Sequence, residues 1–417
     1  MVSSASDAAR PAATPPDTGP FRWIVLAGVW LIYATFGMAV VSLAPLVPQV
    51  MRDLSIGATG MGLVFGSWQL VYIFAAIPCG ALLDRMGVRY GLLLGAAIMA
   101  LSCLLRAYAT DLVTMTLAVG LFGIGGPIVS TGAPKVVAQW FKGRERGLAM
   151  GIYITGPALG AMLALSTTHT VLIPVFGDWR GVMWVWAAAS LVAGAIWFAL
   201  AQTAAMRASD VTSAAGPQQG QLAVVMELLR LPSVRILLLM SIGIFAFNHG
   251  LNNWLPEILR DKGMSAAAAG YWASVPTLIG LVGSLTIPRL ATPARRYLIL
   301  IGLCVAAVIA TLLLRADPGG VLAIGLVAQG IARSSLMTIA ILALVETPEI
   351  GERRAGVASG MFFAAAEVGG AGGPLALGAL YAGSAGFESG FTFLTIVTVL
   401  LTFGGVYLAR LAGKQPG

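Results

Sequence analysis

Twelve apolar runs alternate with short stretches that gather the charges, prolines and glycines. Each run is close to the roughly 20 residues an α-helix needs to cross a hydrocarbon core. They span about 23 to 50, 59 to 83, 90 to 109, 112 to 139, 147 to 174 and 180 to 202, then 235 to 258, 267 to 290, 297 to 315, 319 to 346, 355 to 383 and 389 to 411. The one long polar interval, from about Ala204 to Arg235, contains SDVTSAAGPQQGQ followed by the amphipathic piece VVMELLRL, and it divides the runs six and six. This predicts a lead over 1–21, a six-helix unit over 22–203, a linker over 204–234, a second six-helix unit over 235–412 and a tail over 413–417. The halves echo one another: Arg144-Glu-Arg-Gly-Leu-Ala-Met-Gly151 opens segment 5, and Glu352-Arg-Arg-Ala-Gly-Val-Ala-Ser-Gly360 opens segment 11. A parallel repeat of this kind with a polar site between its halves is a transporter plan, in which one half rocks against the other.

Composition identifies the solvent. The 417 residues are 58% hydrophobic and 10% charged, with mean hydropathy +0.88, where an ordinary soluble domain is about a quarter charged. Such a chain cannot cover its surface with polar groups, so most of that surface faces lipid. A water-soluble globule, a disordered chain and a fibrous array are excluded. Cys79, Cys103 and Cys304 all sit inside apolar runs and frame neither a disulfide scaffold nor a zinc site. With no P-loop, metal-ligand cluster or nucleophile elbow, no cofactor, metal or enzymatic reaction is expected, and transport must be secondary.

The net charge of +8 would suggest nucleic acid in a soluble protein, but here its placement matters more than its size. With the N-terminus in the cytoplasm, seventeen Lys and Arg fall on the cytoplasmic side and six on the other. That asymmetry puts both termini and the linker inside, in a cell membrane of the bacterial inner-membrane kind. The lead is rich in Pro, Ala and Ser and reads as disordered rather than as a cleaved signal. A monomer in the bilayer is expected, with no nucleic acid partner.

The turn after segment 2 reads Gly80-Ala-Leu-Leu-Asp84-Arg85-Met-Gly87-Val-Arg89, which resembles the G-x-x-x-D-R-x-G-x-R signature of the major facilitator superfamily. With twelve segments and a central loop the likeness covers nearly the whole chain. It implies an all-α membrane fold of 12 transmembrane helices in two pseudo-symmetric six-helix bundles, moving a small molecule by alternating access. It also implies that Gly80, Asp84, Arg85, Gly87 and Arg89 form the conformational lock, which in the family holds the outward-open state. A carboxylate and arginines at a turn suit breakable ion pairs with helix ends, and the glycines allow close approach. The matching stretch of the second half, Ile287 to Arg296, lacks the acid.

Gly151, Gly156, Pro157 and Gly160 on segment 5 resemble the G-P-x-x-G element of antiporters in the superfamily, and equally suit close packing with a proline kink. The stretch Asn248-His249-Gly-Leu-Asn252-Asn253-Trp254 and the run Phe362-Phe-Ala-Ala-Ala-Glu367-Val-Gly-Gly370 are similar to the cyanate and nitrate-type branch. Neither segment 2 nor segment 8 carries the mid-depth arginine of nitrate porters.

Charges at membrane depth mark the candidate site. Arg333 lies 14 residues after Gly319 and 13 before Glu346, roughly 20 Å from either end of its helix. An arginine there costs at least about 2.5 to 3.5 kcal/mol on insertion scales and needs a partner, water or an anionic ligand. Glu367, 13 residues past Arg354 on the next segment, falls at similar depth. Either the two pair directly, or a substrate anion takes Arg333 and Glu367 binds a proton. Lys135 precedes Lys142 by seven residues, about 10 Å, so it either snorkels to the interface or assists Arg333. With Lys135, Arg333 and Glu367 counted, the interior carries a formal +1, which favours an anion.

In the family, helices 1, 4, 7 and 10 line the cavity. Trp30 and Tyr33, Gln69 and Tyr72, Tyr153, and Asn248, His249 and Asn252 are the further candidate substrate contacts on cavity or flanking segments. His249 is a second proton-site candidate beside Glu367. The leading expectation is a porter of a small organic or inorganic anion, coupled to protons or working by exchange. The alternative is a proton-driven efflux antiporter for hydrophobic or cationic drugs, in which Glu367 takes the proton and the cation.

Overall fold

The computed structural model describes residues 19–208, 221–347, 350–383 and 386–412. Most of the expected N-terminal lead, the middle of the linker and the tail lie outside the described residues. Those described form helices and turns, with no strand among them. The long helices are α1 Phe21–Val41, then α2 and α3 as two arms, 58–86 and 88–107, of one stretch Ala58–Ala107, and α4 Leu112–Trp140. Next, α5 runs through Gly143–Tyr153, Thr155–Thr167, a π turn Thr168–Leu172 and Ile173–Phe176, and α6 is Trp179–Ala201. The second half holds α7 Pro232–Asp261, α8 Ala266–Leu290, α9 Arg296–Leu313, α10 Gly320–Val345, α11 Gly351–Gly383 and α12 Glu388–Ala412. Ala204–Ala208 and Gln221–Leu228 are short helices of the linker, the second lying where the amphipathic piece was expected.

Eleven of these stretches are long and apolar enough to cross a membrane, and they make twelve crossings. The 50 residues of Ala58–Ala107 would reach about 75 Å if straight, far beyond the roughly 30 Å hydrocarbon core. Gly87, at φ 75° and ψ 163°, bends the stretch into two arms, a conformation that a residue with a Cβ resists. In a solvent that offers no hydrogen bonds, spanning backbone must be helical, which is why each apolar run became a helix.

One expected helix is broken. The run from 23 to 50 ends as α-helix at Val41 and continues as a tight turn Ala44–Leu46 and a short helix Val47–Asp53. Pro45 and Pro48 remove two donors there. Arg106, at the end of α3 and 2% exposed, reaches the end of α1 just before that break. Its Nη1 donates to Ala39 O and to Ser42 Oγ, both at 2.8 Å, and its Nη2 donates to Ser102 Oγ at 3.1 Å.

The helix starts, the linker and the α2–α3 turn define one end of the bundle, called the linker end below. The opposite end carries the caps of α4 and α6, where the Asp111 and Asp178 side chains accept from Thr114 N and Gly181 N, both at 2.8 Å. In the first half α1 packs on α5, and α2 and α3 on α4; in the second, α7 packs on α11 and α10 on α8 and α9. Two pairs cross between halves, α2 with α11 and α5 with α8.

Candidate functional site

The crossing pairs meet tightly only toward the far end. A Cβ on Gly66 would stand 2.6 Å from Ala371 O, and one on Gly62 2.6 Å from Pro374 O, so α2 and α11 touch backbone to backbone. Gly270 of α8 meets the backbone of Leu165 on α5 in the same way. The π turn of α5 adds His169, whose Nε2 lies 2.7 Å from Pro45 O in the broken extension of α1. Toward the linker end the halves part. A cavity of about 950 Å³ opens between α5 and α8, lined by Glu145, Gly151, Ile152, Thr155, Leu285 and Arg289 among others. The path is sealed at one end and open at the other.

Thr155 links that cavity to the middle of the bundle, because its hydroxyl accepts the Trp30 indole N–H at 2.9 Å. Tyr33 stacks on Tyr153 with ring centroids 5.6 Å apart. Trp30, Tyr33 and Tyr153, three of the candidates read from sequence, therefore form one aromatic wall between α1 and α5. The glycines of α5 hold it in place: Gly156 and Gly160 lie against the backbone of Trp30 and Ala34, and Pro157 lies against Gly37. Gly151 differs, facing only Leu285 Cδ2 at 3.8 Å across the opening.

The second cluster sits between α2, α7 and α11. Gln69 Nε2 lies 3.3 Å from His249 Nδ1, so the two halves meet through a hydrogen bond there. Trp68 and Phe245 wall the imidazole at centroid distances of 5.7 and 5.3 Å. Glu367 is 5% exposed, and its Oε2 has no hydrogen-bond partner. Gly370 explains how the three fit: a Cβ there would lie 2.9 Å from Glu367 Oε2, 3.2 Å from Gln69 Cγ and 3.5 Å from His249 Cδ2. Tyr72, one turn along α2 from Gln69, spends its hydroxyl on Ser130 of α4 at 3.1 Å. Asn252 is buried and Asn248 half-buried on the same helix as His249. The side-chain carbonyls of Asn248 and Gln69 have no donor.

Arg333, half-buried on α10, donates from Nη1 to Thr277 Oγ1 of α8 at 3.3 Å. Among the described residues no ion pair joins it to Glu367, so the direct pairing allowed by their equal depth is not formed. Depth along a helix fixes one coordinate; the direction around the axis fixes the partner. Lys135 is not brought to Arg333 either. Its ammonium pairs with Asp84 at the linker end of α2, so its charge is matched by a carboxylate of the same half.

The other residues of the signature expected to form a lock lie at that same turn. Gly87 makes the bend, Gly80 has open space around it, and Arg85 is exposed. Arg89 is buried, donates to Tyr90 Oη at 3.0 Å, and its main-chain oxygen accepts the Trp197 indole at 2.9 Å. Asp84 thus holds a partner within its own half. Other ion pairs of the linker end join Arg22 to Glu145, Arg296 to Glu346 and Arg354 to Glu227 of the linker helix.

Reading the sequence missed several members of the site. Thr155, Ser130, Thr277 and Gly370 carry no signal on their own, since small polar residues are common in membrane helices. Gln329 had one: it stands four residues before Arg333, on the same helix face, and is 1% exposed with its Oε1 unpartnered. No cluster of three metal-ligating side chains exists among the described residues.

A twelve-crossing bundle with a polar centre has the build of a multi-pass membrane transporter. The Major Facilitator Superfamily model matches residues 29–318, and the chain belongs to that family. It is 26% identical over 289 residues to a D-galactonate transporter of Escherichia coli O6:H1, covering 64% of this chain and 66% of that one. It is 26% identical over 245 residues to a hexuronate transporter of Bacillus subtilis, covering 57% and 56%. A quinolone resistance transporter of Acinetobacter baumannii is 25% identical over 65% of this chain and 66% of its own length. The chain thus spans two thirds or less of these relatives. Two solved structures share the fold: a nucleoside transporter, TM-score 0.77 at 14% identity over 93% of this chain and 99% of that one, and a bacterial homolog of the human lysosomal transporter Spinster, 0.71 at 15% over 94% and 98%. The family and these neighbours are transporters, not enzymes.

Proposed function

We propose that this protein is a secondary transporter of a small organic anion, with Arg333 as the anchor for the anionic group. One observation carries the reading: the guanidinium of Arg333 is held by a neutral hydroxyl, Thr277, with no carboxylate paired to it among the described residues. A buried guanidinium without an anion retains most of its desolvation cost, which a bound carboxylate offsets. The unpartnered carbonyls of Asn248, Gln69 and Gln329 call for O–H or N–H donors on the substrate. An inorganic anion such as cyanate or nitrate brings none. A hydroxylated carboxylate supplies both charge and donors, which agrees with the sugar-acid names of the relatives. The likeness of α7 and α11 to the cyanate and nitrate branch is kept only as far as small-anion transport. Trp30, Tyr33 and Tyr153 form the opposing wall, on which the carbon skeleton of such a substrate packs.

The excess of Lys and Arg puts the linker end in the cytoplasm, so the described form faces inward. Transport is coupled to protons, with Glu367 as the proton site and His249 beside it. A second reading, drug efflux, is favoured by the quinolone resistance relative and by the buried carboxylate of Glu367, which suits a cation. Uptake into proteoliposomes of hydroxylated carboxylates, inorganic anions and lipophilic cations, with and without a pH gradient, separates them. Carboxylate uptake lost in Arg333→Gln is expected. Cation flux that survives Arg333→Gln and fails in Glu367→Gln would overturn the anion reading.

A further inference from the structure

The cavity between α5 and α8 is charged at its rim and apolar below it. Leu148 and Ile152 of α5 and Leu285 of α8 form its walls, and Gly147 and Gly151 leave the width. The two hydroxyls along it are spent inside the protein: Thr286 donates to Val282 O at 3.0 Å, and Thr155 donates to Ile152 O at 2.7 Å while accepting the Trp30 indole. A hydroxylated anion finds no free donor there below the rim. From Glu145 at the rim to Thr155 at the floor is ten residues, about 15 Å of helix. That is half of the roughly 30 Å hydrocarbon core, the depth of one leaflet. Leu148 beside the slot and Val282, one turn from Thr286, are each 58% exposed. The rim is positive in sum. Glu145 is already matched by Arg22, 2.9 Å away. Arg289, at the end of α8, lines the rim and is exposed, and no carboxylate pairs with it among the described residues. Arg146 and Lys142, at the start of α5, are exposed as well and are likewise without an ion pair there.

An apolar slot one leaflet deep with an unmatched guanidinium at its mouth has the shape and charge sign of a phospholipid site. A sugar acid has no apolar chain to bury in it, and a lipophilic cation is repelled by the rim. We propose that an anionic phospholipid occupies this slot, its phosphate on Arg289 and one acyl chain along Leu285, Leu148 and Ile152 as far as Thr155. Basic pockets between helices, at the leaflet that carries anionic lipid, take such headgroups. The chain lies between α5 and α8 like a wedge. It therefore favours the form whose linker end is open, and it must leave before Gly151 and Leu285 can close on one another. The site depends neither on what is transported nor on proton coupling, and it is separate from the Arg333 anchor on α10.

The test uses the full chain in nanodiscs of phosphatidylcholine that carry a small fraction of phosphatidylglycerol with a diazirine in one chain. Residues labelled on illumination are read by peptide mass spectrometry. Labels are expected to gather on 147–155 of α5 and 282–289 of α8, to fall by about fivefold in Arg289→Gln, and to persist in Arg289→Lys. Leu285→Trp, which fills the slot, is expected to remove the labels on 147–155. A second readout takes the protein with its three cysteines replaced by alanine and with Leu148→Cys and Thr286→Cys, which line the slot from either side. Bridging by a short bis-maleimide, normalised to single-cysteine labelling by a mono-maleimide, is expected to be slower in phosphatidylglycerol vesicles than in phosphatidylcholine, and equal in the two with Arg289→Gln. Labels spread evenly over the helices, equal labelling by the phosphatidylcholine form of the probe, or unchanged labelling in Arg289→Gln would overturn the site. Displacement of the probe by inorganic phosphate would assign the rim to a soluble anion and overturn it too, and bridging indifferent to the lipid would overturn the wedge. Focused labelling in a parent protein that takes up no carboxylate would support the lipid site and remove the anion reading. Carboxylate uptake with unfocused labelling would do the reverse.

Discussion

Replacing Gly66 by valine tests the seal by sterics alone. The new Cβ would stand 2.6 Å from Ala371 O and 3.1 Å from Ala371 Cα, both main-chain atoms that no rotamer change can move. An ordinary carbon-to-oxygen contact is longer by more than half an ångström, so the helices must separate where they now touch. Overpacking of this kind costs about 1 to 3 kcal/mol. Only the far-closed form bears that cost, so the equilibrium should move toward the far-open form by about 5- to 150-fold. The assay is labelling of a cysteine at Leu63, in the cysteine-free background, by a membrane-impermeant maleimide from the far side. A faster labelling rate within that range is expected, with slower uptake because the inward form is rarer. Unchanged labelling in a folded Gly66→Val protein would show that α2 and α11 are not the moving seam.

The remaining predictions follow from the same geometry. Gly360→Val, at the equivalent open place on α11, should favour the described form and slow labelling from the far side, because its side chain meets nothing until the linker end closes. Arg106→Leu should lower stability by about 1 to 3 kcal/mol, read as a lower melting temperature in detergent, since the buried hydroxyls of Ser42 and Ser102 lose its donors while Ala39 O keeps only the Ser42 hydroxyl. Lys135→Gln should leave the KM for substrate unchanged while shifting the conformational balance, because Lys135 serves Asp84; that part-exposed pair is worth about 1 kcal/mol or less. A KM raised tenfold or more in Lys135→Gln would return Lys135 to the anion site.

The crossings were legible because lipid leaves the backbone one solution, whereas the signature glycines were read as allowing close approach and Gly87 turned out to make the bend. What resisted was everything set by direction around a helix axis. Residue counting put Arg333 and Glu367 at one depth, and counting along an axis is silent about whether two side chains face each other. Counting also gave Lys135 a reach toward Lys142, while its partner, Asp84, is 51 residues away in sequence and adjacent only after α2 packs on α4. Arg106 is buried against the end of α1, donating to Ala39 O and Ser42 Oγ, contacts between segments far apart in sequence that residue counting does not reach. His249 was named from sequence beside Asn248 and Asn252. Its contact with Gln69 across the halves needed the fold, and Gly370 showed its importance only as missing bulk.

The account stands most directly on Arg333. Uptake of hydroxylated monocarboxylates by proteoliposomes of the parent protein, with Arg333→Gln and Arg333→Lys beside it, measures that claim. The account predicts saturable uptake driven by an inward pH gradient, lost in Arg333→Gln and recovered only in part by lysine, whose single ammonium cannot give the two parallel bonds of a guanidinium to a carboxylate. Undiminished carboxylate uptake in a folded Arg333→Gln protein would contradict it.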